Sequence, residues 1–166
     1  MRALLLTILL PLVAVLSACS EPAPRFLAYD GPEVTQIHVA KDRRRMYLLN
    51  GTDVLASYDV GLGFAPDGHK SRSGDGRTPE GLYFIDRRNP NSAYHLSIGI
   101  SYPNAADRAA AAAAGVEPGG DIFIHGTAGN DGRGRDWTAG CIAVTDAEME
   151  EIYAMVRDGT PIYISR

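Results

Sequence analysis

The stretch Asn50-Gly51-Thr52-Asp53 constrains this chain more than any other, because it sits between two short runs that alternate apolar and polar residues. Asn-Gly supplies the positive φ angles that a tight hairpin turn demands. Parts of Met46 to Leu49 and Val54 to Val60 have a period of two, as does Val34-Thr35-Gln36-Ile37-His38-Val39 before them. That period aims one set of side chains at a core and the other at solvent, so the flanking runs form a hairpin. Leu82-Tyr83-Phe84-Ile85 and Ile122-Phe123-Ile124 read as short buried strands, and Pro161-Ile162-Tyr163-Ile164 as a closing strand. The expected fold class is mainly β with two helices.

The first helix spans about Ala105 to Ala114, is rich in alanine and has Gly115 as its stop. The second is better specified. Thr145 and Glu148 have the capping-box spacing, and Asp146 lies in the first turn. Arg157 near the far end suits the helix dipole, and Gly159 suits a C-terminal cap. Met149, Ile152, Tyr153 and Val156 make one apolar stripe that reads as core packing.

Met1-Arg2, the apolar run Ala3 to Leu16 and the small residues Ser17 and Ala18 have the layout of an export signal. The run is short for a membrane span of about 20 residues, and Pro11 interrupts it. Leu16-Ser17-Ala18-Cys19 resembles the lipobox of bacterial lipoproteins, which implies lipidation of Cys19 as residue one of the mature chain. Ser20 in the second mature position implies the outer membrane of a Gram-negative cell. The chain then divides into a leader at 1–18, a lipidated N-terminus and tether at 19–32, and one domain at 33–166. Loss of Arg2 moves the formal charge from −4 to −5, which offers nothing to nucleic acid.

Cys141 is the one thiol left after lipidation, and it lies in Asp136-Trp137-Thr138-Ala139-Gly140-Cys141-Ile142, sixteen residues after His125. A single cysteine beside glycine with a histidine upstream is a candidate nucleophile and base, whereas the plainer reading is a small buried hydrophobe. Metal chemistry is not expected. His38, His69, His95 and His125 lack zinc spacing, His38 reads as a packed or edge strand residue, and Asn130-Asp131-Gly132 lacks the glutamate of a calcium loop. Gly61 to Glu80 is a long glycine-rich loop without a nucleotide fingerprint. Lys70, Arg72 and Arg77 within it could hold a carboxylate, with at least two of them expected simply to face solvent.

His125-Gly126 followed by Thr138-Ala139-Gly140-Cys141 resembles the signature of the L,D-transpeptidase catalytic domain family (the YkuD-like fold). Arg77-Thr78-Pro79-Glu80-Gly81-Leu82-Tyr83 and Gly159 to Ile164 support it, and the likeness runs from about Val34 to the C-terminus. Tyr102-Pro103-Asn104 and Ala143-Val144-Thr145-Asp146 resemble the murein branch, which includes hydrolytic members. The chain departs from many members at Ala143, where arginine is common, and at Ala139, where histidine is.

The resemblance implies a YkuD-like β-sandwich or mixed-sheet domain, Cys141 as nucleophile, His125 as base, and the Gly126 carbonyl as the group that orients the imidazole. The Ala139-Gly140-Cys141 backbone can supply oxyanion donors, and Thr138, Tyr102 and Arg77 are expected at the substrate. The implied substrates are peptidoglycan stem peptides, with a wall-linked protein as a further partner and no cofactor. A hydrolase with the same Cys-His machinery (an L,D-carboxypeptidase, or an amidase releasing wall-attached protein) is the alternative, and a silent wall-binding lipoprotein the third reading. A papain-like protease does not fit, since its cysteine precedes its histidine by a long interval.

Overall fold

The Asn50-Gly51 turn closes a hairpin between β2 (Arg45–Asn50) and β3 (Asp53–Asp59), with Gly51 at φ 57°. The structure, a computed structural model, describes residues 26–129 and 135–166. The leader, residues 19–25 of the tether with Cys19, and Asn130-Asp131-Gly132 lie outside the described residues. The other elements are β1 (Gln36–Ala40), β4 (Gly81–Ser92), β5 (His95–Ile100), α1 (Ala105–Ala113), β6 (Phe123–His125), β7 (Ile142–Ala143), α2 (Asp146–Met155) and β8 (Pro161–Ser165).

All eight strands join one mixed sheet in the order β3-β2-β1-β8-β4-β5-β6-β7. The pairs β1·β8 and β6·β7 are parallel and the rest antiparallel. β4 serves both halves: Gly81 to Phe84 pair with β8, and residues from Ile85 onward pair with β5 across a bulge at Asp86. Ile37, Met46 and Leu48 from one half and Ile98, Ile124 and Ile142 from the other belong to a single buried cluster. Met149 and Ile152 of α2 are buried in it, as the stripe predicts.

Both helix starts follow their chemistry. The Asn104 side chain caps α1, and Thr145 and Glu148 complete the capping box of α2. The end of α2 differs from expectation. It stops at Met155 with Val156 extended, so Arg157 lies past the last turn and Gly159 (φ 88°) belongs to the turn into β8. The carbonyls of Tyr153 and Val156 are instead capped by the Arg88 guanidinium, which also lies over the Tyr153 ring at 3.8 Å. A side chain from a distant strand replaces the local cap.

Candidate active site

His125 ends β6, and Cys141 immediately precedes β7. The parallel register Ile124↔Ile142 and His125↔Ala143 places Cys141 level with Phe123, two residues from the histidine on the neighbouring strand. Strand alternation puts residues 123 and 125 on one face. His125 and Cys141 accordingly line one cleft of about 240 Å³, together with Phe123, Asp121, Tyr94 and Ser97.

The imidazole is held in one tautomer. His125 Nδ1 lies 2.6 Å from the Gly126 carbonyl oxygen, which can only accept, so Nδ1 carries a proton and Nε2 is the basic nitrogen of the neutral ring. Tyr94 stacks on the ring (centroids 4.6 Å apart, 27° between planes), and Trp137 meets it edge-on at 5.6 Å. Only 3% of His125 is exposed.

The Cys141 thiol points to the Asp121 carbonyl at 3.5 Å. Burial pushes its pKa up, which the Phe123 N–H on the sulfur and the positive charges of Lys70 and Arg87 counter only in part. Burial thus favours the thiol over the thiolate. Its turn is built by Thr138, whose buried hydroxyl donates to the Cys141 carbonyl (2.7 Å) and accepts from the Gly140 N–H (3.1 Å). Gly140 sits at φ 136°, where a Cβ would come within 2.6 Å of the Arg77 carbonyl oxygen. Among the described residues, the N–H groups of Ala139 and Cys141 have no acceptor, whereas that of Gly140 is occupied.

The other expected site residues lie elsewhere. Tyr102 is buried and donates to the Pro118 carbonyl at 2.9 Å, packed edge-on against Tyr83. Arg77 supports the Gly140 turn from behind with its backbone, while its guanidinium donates to the His69 carbonyl. Neither lines the cleft. Lys70 does not face solvent: it is 3% exposed and bound to Asp75 at 2.8 Å. Arg72 is exposed as expected. The glycine-rich loop bridges to the site through Gly61↔Ala143 and Gly63↔Thr138.

The model of the YkuD family, the L,D-transpeptidase catalytic domain, matches residues 35–164. The chain belongs to this family. It is 35% identical over 112 residues to YafK of Escherichia coli (strain K12), a protein named as an L,D-transpeptidase only provisionally; the match covers 66% of this chain and 38% of YafK. Among solved structures it is similar to the helical cell shape determining protein Pgp2 of Campylobacter jejuni, at 23% identity and a TM-score of 0.63 over 86% of this chain and 51% of Pgp2. Bd1075 of Bdellovibrio bacteriovorus shares 23% identity with a TM-score of 0.58 over 86% of this chain and 52% of its own. The chain thus spans about half the length of these solved relatives, and the likeness to them is one of fold.

Within this L,D-transpeptidase domain, one supporting residue was read in the sequence only as part of the first turn of α2 and of the murein-branch stretch Ala143 to Asp146. The Asp146 carboxylate accepts the N–H groups of Thr127 (2.7 Å), Ala128 (3.0 Å) and Gly129 (2.7 Å), clamping the chain just after His125-Gly126. A Cβ on Gly126 would lie 2.3 Å from Asp146 Oδ1, so any side chain there would displace the clamp. The capping box marked where α2 starts, and nothing local marked what its first carboxylate would hold. Tyr94 and Trp137 carry no sequence signal for their packing on His125.

Proposed function

We propose that this domain is a cysteine-dependent L,D-transpeptidase that acts on peptidoglycan stem peptides through an acyl-enzyme. The observation that carries the reading is the shared cleft: Cys141 opens into it beside His125, whose Nδ1 proton is committed to the Gly126 carbonyl. With the thiol favoured by burial, attack and proton transfer are coupled. Cys141 Sγ bonds to the carbonyl carbon between diaminopimelate and D-alanine as its proton passes to His125 Nε2. The oxyanion lies against the Cys141 and Ala139 N–H groups, each such donor being worth about 3 kcal/mol in comparable sites. Collapse breaks the C–N bond, and His125 returns the proton to the departing amine. An acceptor amine, from a second stem or a protein lysine, then attacks the thioester, gives its proton to His125 and frees the thiol. Water in place of the amine makes the same cycle a hydrolysis.

Incubation of the purified protein with sacculi, followed by muropeptide analysis, tests this. New crosslinks with released D-alanine support transfer, and released peptides without crosslinks support the hydrolase. An unchanged profile, or turnover that survives Cys141→Ala or Cys141→Ser, sinks the cysteine mechanism. His125→Ala is expected to be nearly as damaging, because the two groups act as a unit.

Leu16-Ser17-Ala18-Cys19 and Ser20 support export, lipidation at Cys19 and retention at the outer membrane. Residues 20–32 would reach roughly 40 Å when extended, which holds the site near the wall. Native protein is expected in the membrane fraction, soluble only in detergent, with Cys19→Ala releasing it or stalling its processing. Wild-type protein in osmotic-shock fluid with an unmodified N-terminus would defeat the anchor.

A further inference from the structure

One row of the sheet leads straight to the nucleophile. Arg87 of β4 pairs with Gly99 of β5, and Gly99 pairs with Phe123 of β6. The Phe123 N–H in turn hydrogen-bonds the Cys141 sulfur. Gly99 has no side chain in the middle of this row, and a Cβ there would lie 2.5 Å from Arg87 Cγ. The arginine therefore lies flat across β5, with its guanidinium 4.5 Å from the centroid of the Phe123 ring. Phe123 lines the same cleft as Cys141.

The guanidinium is placed but not used up. Its partners are Asp86 (3.0 Å) and Asp121 (3.2 Å), and its own side chain remains 41% exposed. Ion pairs of this exposed kind are weak and exchange readily for a better ligand. The Asp121 carboxylate is 92% exposed, while the carbonyl of the same residue receives the Cys141 thiol. Lys70, the other cation that bears on the thiol, is buried against Asp75 and open to no ligand. Among the described residues, the exposed Arg87 guanidinium and the exposed Asp121 carboxylate thus lie side by side at the edge of the cleft that holds the attacking atom.

We infer that Arg87 and Asp121 form a subsite for an amino-acid head, a carboxylate and an ammonium on one carbon, with the carboxylate on the guanidinium and the ammonium on the aspartate. This rests on the proposed function, in which the acylated residue is diaminopimelate, whose side chain ends in such a head. The excess of acid at Asp86 and Asp121 disfavours a bare carboxylate, so a lone acidic side chain is a poor ligand and a zwitterion a good one. A planar fork also suits a carboxylate better than a lysine would.

The test measures equilibrium binding to the chain carrying Cys141→Ala, so that no turnover intervenes. The probes are the tetrapeptide L-Ala-γ-D-Glu-diaminopimelyl-D-Ala and the same peptide with the side-chain carboxyl amidated. The free acid is expected to bind about tenfold tighter, the worth of one charge-assisted contact at a partly exposed site. Arg87→Gln on that background should erase the difference, and Asp121→Asn should weaken both peptides alike. Equal binding of the two peptides, no binding of either, or a difference that survives Arg87→Gln overturns the subsite. Turnover by the wild-type chain is read separately. Turnover without the binding difference refutes the subsite alone, and the difference without turnover refutes the catalytic reading alone.

Discussion

Removing the Asp146 carboxylate should loosen the histidine loop, and the size of the effect follows from its partners. Oδ1 accepts from Thr127 and Ala128, and Oδ2 from Gly129. Hydrogen bonds to a charged group are worth about 1.5–3 kcal/mol net. Ala128 and Gly129 are exposed, so water replaces much of their loss, whereas Thr127 is buried. Asp146→Ala should therefore cost about 2–3 kcal/mol, roughly 10 °C in Tm for a domain of this size. Asp146→Asn keeps the Oδ1 contacts and turns a donor toward Gly129, for about 1 kcal/mol. The acidity of Asp146 supplies an independent check. Burial opposes ionisation, but the Thr127, Gly129 and Ala128 N–H groups outweigh it and hold the carboxyl below its ordinary range. A depressed carboxylate stabilises fully above the unfolded value near pH 4, and that stability is lost as pH falls through the folded value. The gap between wild type and Asp146→Asn, read by urea unfolding, should thus narrow on acidification below about pH 4. Turnover should fall mainly in kcat, since the clamp acts on the Gly126 carbonyl that orients His125. An Asp146→Ala protein that melts with the wild type, or a gap constant from pH 6 to pH 3, would refute the reasoning.

Gly140→Ala combines a left-handed backbone with a 2.6 Å approach to the Arg77 carbonyl, so a loss of about 1–3 kcal/mol and displacement of Cys141 are expected. Unchanged melting together with unchanged acylation would show that the turn does not need glycine. Tyr102→Phe removes the bond to Pro118 and should cost about 1 kcal/mol of stability while leaving KM alone. A raised KM with no change in Tm would restore Tyr102 to the substrate. Because burial raises the Cys141 pKa, alkylation by iodoacetamide should climb with pH to a midpoint above the ordinary thiol value of about 8.5 and revert to it in urea. A folded-state midpoint at or below 8.5 would mean a thiolate poised at rest.

The readable parts of this chain were those with a local cause. The Asn50-Gly51 turn, the Thr145–Glu148 capping box and the alternation around Ile37 each depend on neighbours within a few residues, and each appears in the structure at its expected place. β5 and the far half of β4 were invisible. Arg87, Arg88, Asn89 and Pro90 carry no apolar period, and their strand exists because β5 pairs with it. The C-cap of α2 failed for a related reason: Arg88, sixty-five residues from Tyr153 in sequence, reaches carbonyls that Gly159 was expected to terminate.

The same division runs through the site. Residue identity and short spacing pointed to His125 and Gly140-Cys141, and the family resemblance added Gly126, because a nucleophile, a base and a glycine at a tight backbone position are chemical requirements visible one residue at a time. Tertiary structure decided what surrounds them. It set Tyr94 and Trp137 on the imidazole, turned Asp146 onto three backbone N–H groups, moved Tyr102 and Arg77 out of the cleft, and laid Arg87 over Gly99 onto Phe123. Those contacts depend on which strands become neighbours in the sheet, and pairing between segments far apart in the chain is a property of the whole fold that no local pattern encodes.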